Sequence, residues 1–201
     1  MATRIFNNVI LLSLGIFLWG CTSGTGNGES GSNEEQLLVF LVRHAEKVDE
    51  SIDPDLSEEG YVRAQDLART LADASIEQVH SSGFIRTKLT AEPVADFFGL
   101  EIELYNPKDL YTLADQLKAA GGRHLVVGHS NTTPALVEIL GGDPGFPIEE
   151  KKEYDRLYIV TIIKGKVNTV LLRYGQPCSS LPSKISASSL EVPQISGSAL
   201  N

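Results

Sequence analysis

Residues 38–47 read LVFLVRHAEK, and this stretch decides how the chain is organised. Five apolar residues are followed at once by a polar group that begins with Arg43 and His44. A short run rich in Val, Leu and Phe predicts a strand that is buried on both faces, as in a parallel sheet. In such sheets, ligands bind where the carboxyl ends of the strands meet the following loops. Arg43 and His44 are therefore expected at the edge of the sheet where this kind of fold binds ligands. The alternative is that they belong to a charged, solvated turn without a functional role.

The composition is that of an acidic globular protein. Of the 201 residues, 42% are hydrophobic and 21% are charged, and the net charge is −9. Because the chain contains no block of Lys and Arg, a nucleic-acid-binding surface is not expected, and an anion would need a locally basic pocket. The two cysteines, Cys21 and Cys178, do not indicate a disulfide framework. No Cys/His spacing typical of a metal site is present, so neither a metal nor a cofactor is predicted.

The N-terminal segment has the features of an export signal. Arg4 precedes an apolar run at residues 9–19, which is shorter than the ~20 residues of a membrane span. The run ends in LWGC, which resembles a bacterial lipobox apart from Trp19, and the resemblance implies that Cys21 becomes a lipidated, membrane-anchored N-terminus. Because Thr22 is not the Asp of an inner-membrane retention signal, the expected location is the periplasmic side of the outer membrane. Ordinary cleavage to a soluble periplasmic protein is the alternative.

Composition divides the chain into four parts. They are a signal peptide at residues 1–20, a Gly/Ser-rich linker at 22–35, one domain at 36–175 and a Ser-rich tail at 176–201. The linker is expected to be flexible and the tail disordered. The domain is long enough to build a sizeable hydrophobic core, and a monomer is expected.

Strand and helix signals alternate along this domain. Strands are predicted at residues 38–42, 76–80, 101–105, 124–128, 157–163 and 167–173, the last two as a hairpin. Helices are predicted after the cap Ser57, over residues 84–98, after the cap Asn106 with Pro107 in the first turn, and over residues 132–140. Strands joined through helices imply right-handed crossovers. The predicted fold is a three-layer α/β/α sandwich, mainly parallel, with an antiparallel C-terminal edge hairpin.

Three of the predicted strands carry Arg or His at or just beyond their ends. The strand at 38–42 leads into residues 43–44, the strand at 76–80 into residues 80–82 and Arg86, and the strand at 124–128 into residues 128–131. If the strands are parallel neighbours, these ends converge on one crevice. Two guanidinium groups suit a dianion such as phosphate, and the helix after His129 would direct its positive end to the same place. Nearby positive charge also favours a neutral imidazole, which can act as a nucleophile.

These segments resemble the histidine phosphatase superfamily, also called the phosphoglycerate mutase-like family. RHAE at residues 43–46 resembles the family's Arg-His-Gly motif, residues 81–91 resemble the segment with its second arginine, and GHSN at 128–131 resembles its second histidine motif. DLSEEG at 55–60 resembles the Leu-Ser/Thr-x-x-Gly entry to a helix. The order and spacing fit over essentially the whole domain, so the resemblance implies a phosphoglycerate mutase-like fold.

The resemblance also implies phosphoryl transfer through a phosphohistidine. His44 would attack phosphorus, and water would later cleave the phosphoenzyme. Arg43, Arg86 and His129 would hold the phosphate oxygens and stabilise the transition state without a metal. Asn131 is expected to cap its helix and is a further candidate for substrate binding.

Two departures from the family pattern narrow the prediction. Ala45 stands where glycine is commoner, and residues 46–49 lack the Ser and Asn of the mutases, which argues against mutase activity. Monoester hydrolysis needs a general acid, which is expected between the second arginine and the second histidine. Asp109 is the nearest carboxylate there, but it could equally serve its helix as a dipole partner. The short domain is also similar to that of the phosphohistidine phosphatases, with a pocket open to bulky substrates.

The predicted activity is that of a histidine acid phosphatase-type phosphoric monoester hydrolase, acting on a phosphorylated small molecule or protein. Three alternatives remain at this point: a mutase-like phosphotransferase, a non-catalytic protein that binds phosphorylated ligands, and a His/Glu metal-binding protein. The last ranks lowest because two arginines would repel a cation. His80, Lys47 and Tyr154 are expected in structural, rim and packing positions respectively.

Overall fold

A computed structural model of the chain describes residues 36–178. The predicted signal peptide, Cys21, the linker and residues 179–201 of the tail lie outside the described residues, so these predictions remain predictions. Within the described part of the chain, no helix is both long enough and apolar enough to span a membrane.

The domain contains a six-stranded mixed sheet in the order β3-β2-β4-β1-β5-β6. The pairs β1–β4, β2–β4 and β2–β3 are parallel, whereas β5 is antiparallel to both β1 and β6. The strands are β1 (Gln36–Arg43), β2 (Gln78–Ser82), β3 (Ile102–Tyr105), β4 (Gly122–Gly128), β5 (Arg156–Ile163) and β6 (Lys166–Arg173). The helices are α1 (Glu58–Leu71), α2 (Ile85–Phe98), α3 (Leu110–Ala120) and α4 (Thr132–Ile139).

Helices cover both faces of this sheet, which confirms the predicted sandwich. On β1, Phe40 and Val42 pack into a core shared with α1 and α2, and Val39 and Leu41 pack into a second core shared with α3 and α4. All four side chains are buried. Burying an aliphatic or aromatic side chain stabilises the fold by about 1.5–3 kcal/mol. Residues 37–42 of β1 are all apolar because each face of the strand contacts a core.

The start of α3 differs from the prediction. The helix begins at Leu110, and its cap is Asp109, whose carboxylate accepts a hydrogen bond from the Thr112 N–H. Asn106 instead forms a turn, because its side chain accepts from the Lys108 N–H and its carbonyl accepts from the Asp109 N–H. An Asn side chain that bonds the backbone two residues on favours such a turn over a helix start. The prediction of Asn106 as the cap was therefore wrong.

The parallel strands β1, β2 and β4 bring their carboxyl ends to one edge of the sheet. Arg43 is the register partner of Gly128, and Ser81 is that of Val127. The His44 N–H extends the pairing by donating to the Gly128 carbonyl at 2.9 Å. The three segments that follow these strands must therefore meet.

Candidate active site

The predicted crevice exists as a cavity at this edge of the sheet. The rings of His44 and His129 face each other there, with centroids 5.5 Å apart. The cavity encloses about 240 Å³ and is called the histidine cavity below. It is lined by His44, Lys47, Phe84, Arg86, His129, Ser130, Asn131, Thr132 and Glu150.

His44 is held in one tautomer. Its Nδ1 lies 2.8 Å from the Ala45 carbonyl oxygen, and because a carbonyl only accepts, Nδ1 carries the proton. The lone pair therefore lies on Nε2. Burial, followed by the charge of Arg43, lowers the pKa of His44 to about 3, against an opposing effect of the Ala45 hydrogen bond. The imidazole is neutral at physiological pH and can act as a nucleophile.

The loop after His44 is fixed by its contacts with two helices. The Ala45 N–H donates to Thr90 Oγ1 on α2 at 2.9 Å. At the start of α1, a Cβ on Gly60 would lie 2.3 Å from the Glu46 carbonyl oxygen, so this close approach requires glycine. The Glu46 carboxylate accepts hydrogen bonds from Nε and Nη2 of the buried Arg63. The glycine in the DLSEEG motif thus brings α1 against the nucleophile loop.

The two predicted arginines lie at different depths. Arg86 lines the histidine cavity and makes long contacts, of 3.4 Å to the Ile52 carbonyl and 3.5 Å to Asp53. Arg43 is buried behind the cavity, where its Nη1 donates to the Glu153 carbonyl and its guanidinium lies 4.0 Å over the ring of Tyr154. The Nε atoms of both arginines are buried with no hydrogen-bond partner among the described residues. Buried donors without acceptors are costly, and a bound anion would relieve this cost.

His129 is positioned by two hydroxyl side chains. Its Nε2 is hydrogen-bonded to Ser82 Oγ at 2.9 Å, and Ser82 Oγ is in turn 2.9 Å from Thr87 Oγ1. Burial, followed by the charges of Arg86 and Arg43, lowers the pKa of His129 to about 4. Both cavity histidines are consequently neutral, and the positive charge at the cavity comes from Arg86 and Lys47, with Arg43 behind it.

Asn131 lies where it was predicted, at the N-cap position of α4, and it lines the histidine cavity. Its side chain makes no capping hydrogen bond within residues 36–178. The Thr132 hydroxyl accepts the His129 N–H at 2.9 Å instead. The Asn131 amide is therefore available to a ligand.

The structure does not bring Asp109 to this cavity. Both of its carboxylate oxygens bond Thr112, one to the backbone N–H and one to the side-chain hydroxyl, and the residue is exposed. Among the described residues that line the cavity, Glu150 alone carries a carboxyl group. It lies in the loop between α4 and β5, beyond the interval in which the acid was expected. No spacing signal in the sequence connects Glu150 to the two histidines.

Three other residues illustrate what the sequence could and could not indicate. Tyr154, expected only to pack, lies against Arg43, and its ring centroid is 6.1 Å from that of His44. Lys47 lines the cavity, in agreement with a rim position. His80 is buried away from the cavity in a hydrogen bond with His124, as expected for a structural histidine.

The fold and the site together define an α/β sandwich with a histidine pair in a cationic cavity, an arrangement suited to phosphoryl groups. Residues 39–106, which include His44, Gly60 and Arg86, match the family model described as histidine phosphatase superfamily (branch 1). This match confirms the predicted resemblance over residues 39–106, and the described domain has the phosphoglycerate mutase-like fold.

Solved structures share this fold. The chain is similar to the protein histidine phosphatase SixA complexed with tungstate, with a TM-score of 0.55 and 22% identity over 68% of this chain and 97% of that one. It is also similar to a mycobacterial glucosyl-3-phosphoglycerate phosphatase (TM-score 0.53, 14% identity, 71% and 100% covered). A third structure, the alpha-ribazole phosphatase from Shigella flexneri, has a TM-score of 0.54 at 14% identity, with 68% and 96% covered. A comparison with curated protein sequences finds no match.

Proposed function

We propose that the protein is a phosphatase that hydrolyses a phosphorylated substrate through a phosphohistidine on His44. The observation that carries the proposal is the juxtaposition of a buried, neutral imidazole and two arginines whose Nε donors lack acceptors. A phosphate dianion in the histidine cavity supplies acceptors for Arg86, which lines the cavity, and lies beside His44, which lines it too. The family match supports phosphatase activity independently of this geometry.

The first half of the reaction transfers the phosphoryl group to His44. The Nε2 lone pair attacks phosphorus, an N–P bond forms, and the bond between phosphorus and the leaving group breaks. The leaving group departs with the electron pair and takes up a proton, for which Glu150 is the candidate donor because it lines the cavity. Arg86 and His129 contact the phosphoryl oxygens, and the charge of Arg43 stabilises them from behind.

The second half restores the enzyme. Water attacks phosphorus and gives a proton to the Glu150 carboxylate, the N–P bond breaks, and its electron pair returns to Nε2. Inorganic phosphate leaves. The proton stays on Nδ1 throughout and is donated to the Ala45 carbonyl oxygen, so His44 keeps the same tautomer from one turnover to the next. Arginine supplies the positive charge, and the mechanism requires no metal.

The proposed substrate is a phosphorylated small molecule or protein outside the cytoplasm. This location rests on the N-terminal sequence, where Cys21 is the last residue of the lipobox-like LWGC. We expect acylation at Cys21 and fractionation with the outer membrane. Metabolic labelling with a radioactive fatty acid, compared between the natural chain and Cys21→Ser, tests this, and release of an unlabelled protein into the periplasm would instead support ordinary cleavage.

The activity is tested by hydrolysis of 4-nitrophenyl phosphate by the full chain. His44→Ala should lower kcat by about 10⁴-fold or more, because the nucleophile is lost. Brief reaction with radiolabelled substrate and a denaturing quench should trap acid-labile, base-stable label in the natural protein but not in the variant. A chelator should leave turnover unchanged. Chelator-sensitive turnover, or turnover that survives in His44→Ala, would contradict the mechanism.

A non-catalytic, phosphate-binding protein is the second candidate. It is favoured by one observation, namely that the carboxyl group lining the histidine cavity comes from an exposed residue of a loop. Binding of inorganic phosphate without turnover of any phosphorylated compound would select this candidate over the phosphatase.

A further inference from the structure

A second cavity adjoins the histidine cavity. It encloses about 440 Å³ and shares Ser130, Asn131 and Glu150 with it, so the two cavities are continuous. It is called the proline cavity below. Its walls beyond the shared residues are formed mainly by Pro134, Ala135, Glu138, Pro144, Pro147 and Ile148.

One wall of the proline cavity is part of the folded core. Ile148 is buried and packs into the core beneath α3 and α4. The buried side chain of Arg156 donates from Nη2 to the Pro147 carbonyl at 3.2 Å, and the Tyr158 hydroxyl donates to the Pro144 carbonyl at 3.1 Å. Arg156 is itself paired with Glu153. Prolines restrict the backbone further, so this wall is formed before any ligand arrives.

Another wall is the first turn of α4, from which Pro134 and Ala135 line the cavity. The same helix begins at Thr132, which lines the histidine cavity. A single helix therefore faces both cavities. A substrate group that extends along α4 from a phosphoryl group beside His44 and Arg86 therefore enters the proline cavity.

The charge of the proline cavity differs from that of the histidine cavity. Glu138 and Glu150 contribute carboxylates, whereas no Lys, Arg or His is among the described residues that line it. Between them lie the apolar surfaces of prolines, Ala135 and Ile148. Because Glu150 is protonated when it serves as the proton donor, a carboxylate or second phosphate in this space would face the like charge of Glu138, whereas a neutral or cationic group would not.

We infer that the proline cavity receives the leaving group of the substrate and selects one that is uncharged or cationic and partly apolar. This inference rests on the proposed function, because it concerns the same reaction. It excludes compounds such as sugar acids and nucleoside polyphosphates, whose remaining groups are anionic, as preferred substrates. Glu138 acts here as a specificity residue, exposed on α4 and separate from the phosphoryl-transfer machinery.

The test uses the purified full chain and three substrates on one scaffold: phenyl phosphate, 4-(aminomethyl)phenyl phosphate and 4-carboxyphenyl phosphate. We expect kcat/KM for the aminomethyl compound to exceed that for the carboxy compound by about tenfold or more, since the Glu138 carboxylate attracts the ammonium group and repels the carboxylate. Glu138→Lys should reduce this ratio by about fivefold or more through charge reversal at the cavity wall. Glu101→Lys makes the same change of net charge at an exposed site before β3 and should leave the ratio unchanged.

Ratios within about twofold in the natural protein would overturn the inference, as would a Glu138→Lys ratio equal to that of Glu101→Lys. If none of the three substrates is hydrolysed, the proposed function fails by itself. The same charge series is then measured as dissociation constants of the matched phenylphosphonates by calorimetry. Equal affinity for the aminomethyl and carboxy phosphonates would overturn the inference independently of turnover.

Discussion

Two pairs of histidines lie in this domain, and they behave in opposite ways. The cavity pair, His44 and His129, faces a space lined by Arg86, whereas the sheet pair, His80 and His124, is stacked between β2 and β4 with ring centroids 5.3 Å apart. Burial lowers the pKa of His80 to about 4, as it does that of His129. A depressed pKa therefore does not distinguish the pair that has chemistry from the pair that lacks it.

Hydrogen-bond partners do distinguish them. His124 Nε2 donates to the Gly121 carbonyl at 2.6 Å, which leaves His124 Nδ1 to accept from His80 Nε2 at 3.0 Å. The remaining His80 Nδ1 lies 3.6 Å from a carboxylate oxygen of Glu103. Three of the four ring nitrogens of the sheet pair are thus hydrogen-bonded, whereas the unprotonated Nδ1 of His80 makes no hydrogen bond to Glu103 at this distance. Neither ring of the sheet pair lines the histidine cavity, whereas the Nε2 lone pair of His44 faces it. A histidine is available for catalysis when one of its nitrogens is left for the substrate.

The largest effect that would sharpen this comparison is expected at Arg86. Arg86→Ala removes a guanidinium with an unpartnered donor from the cavity, and kcat for 4-nitrophenyl phosphate should fall about 10²–10³-fold. The inhibition constant of inorganic phosphate should rise with it. Arg69→Ala, which deletes an exposed guanidinium of α1 paired with Asp66, is the matched control and should leave both constants unchanged. Equal constants in the two variants would remove Arg86 from the site.

A substitution in the sheet pair should lower stability and leave kcat nearly unchanged. His124→Ala leaves His80 Nε2 without its acceptor and opens space beside it, so the free energy of unfolding should fall by about 2–4 kcal/mol. Denaturant unfolding measures this loss. At a temperature where the variant is folded, kcat should stay within about twofold of the natural value, because no substrate contact is removed. A loss of kcat as large as that of Arg86→Ala would show that the two pairs are coupled.

The pH dependence of stability should be shared by both pairs. His44, His80 and His129 have folded pKa values near 3 or 4, below the ~6.5 of an unfolded histidine. The unfolded state binds more protons in that window, so their contribution is fully present above about pH 6.5 and is lost as the pH falls toward 4. We expect a decrease of roughly 1–4 kcal/mol per pH unit below pH 6, measured by denaturant unfolding. A flat profile from pH 7 to 5 would contradict the neutral, buried state of these histidines.

Inorganic phosphate should change the pKa values of the cavity pair but not that of His80. A bound dianion favours the protonated form of the cavity histidines and should raise their pKa values. His80, which does not line the cavity, should titrate as before. Imidazole resonances recorded with and without phosphate follow each ring individually. Equal shifts in all four rings would mean that the anion binds elsewhere.

Much of the fold and part of the site could be predicted from the sequence because they depend on local patterns. The apolar run before Arg43 indicates a strand buried on two faces, and the strand ends bring His44, Arg86 and His129 together once the sheet is parallel. Glu150 and Tyr154 could not be found in this way. They belong to the long segment between α4 and β5, whose path is set by tertiary contacts such as those of Arg156 rather than by periodicity.

Asp109 is the opposite case, because the sequence pattern selected it as the proton donor and the structure does not place it in the cavity. Its carboxylate lies in the expected interval of the chain, but cap formation with Thr112 accounts for both of its oxygens. A helix cap and a proton donor have the same residue preferences, so composition alone does not separate them. The hydrogen-bond partners of the carboxylate distinguish a helix cap from a proton donor, as the partners of the ring nitrogens distinguish the two histidine pairs.

The contacts of Arg63 have a practical consequence for where the domain can be trimmed. Besides holding Glu46, two residues after the nucleophile, its Nη1 donates to the carbonyls of Tyr174 and Gln176. Cys178 is buried nearby, its thiol accepting the Tyr154 N–H. The boundary suggested by composition, residue 175, would cut this connection. The smallest unit that keeps these contacts therefore ends no earlier than residue 178. A chain that ended with β6 would lose them, and the loop after His44 would be held less firmly although the deleted residues lie outside the cavity.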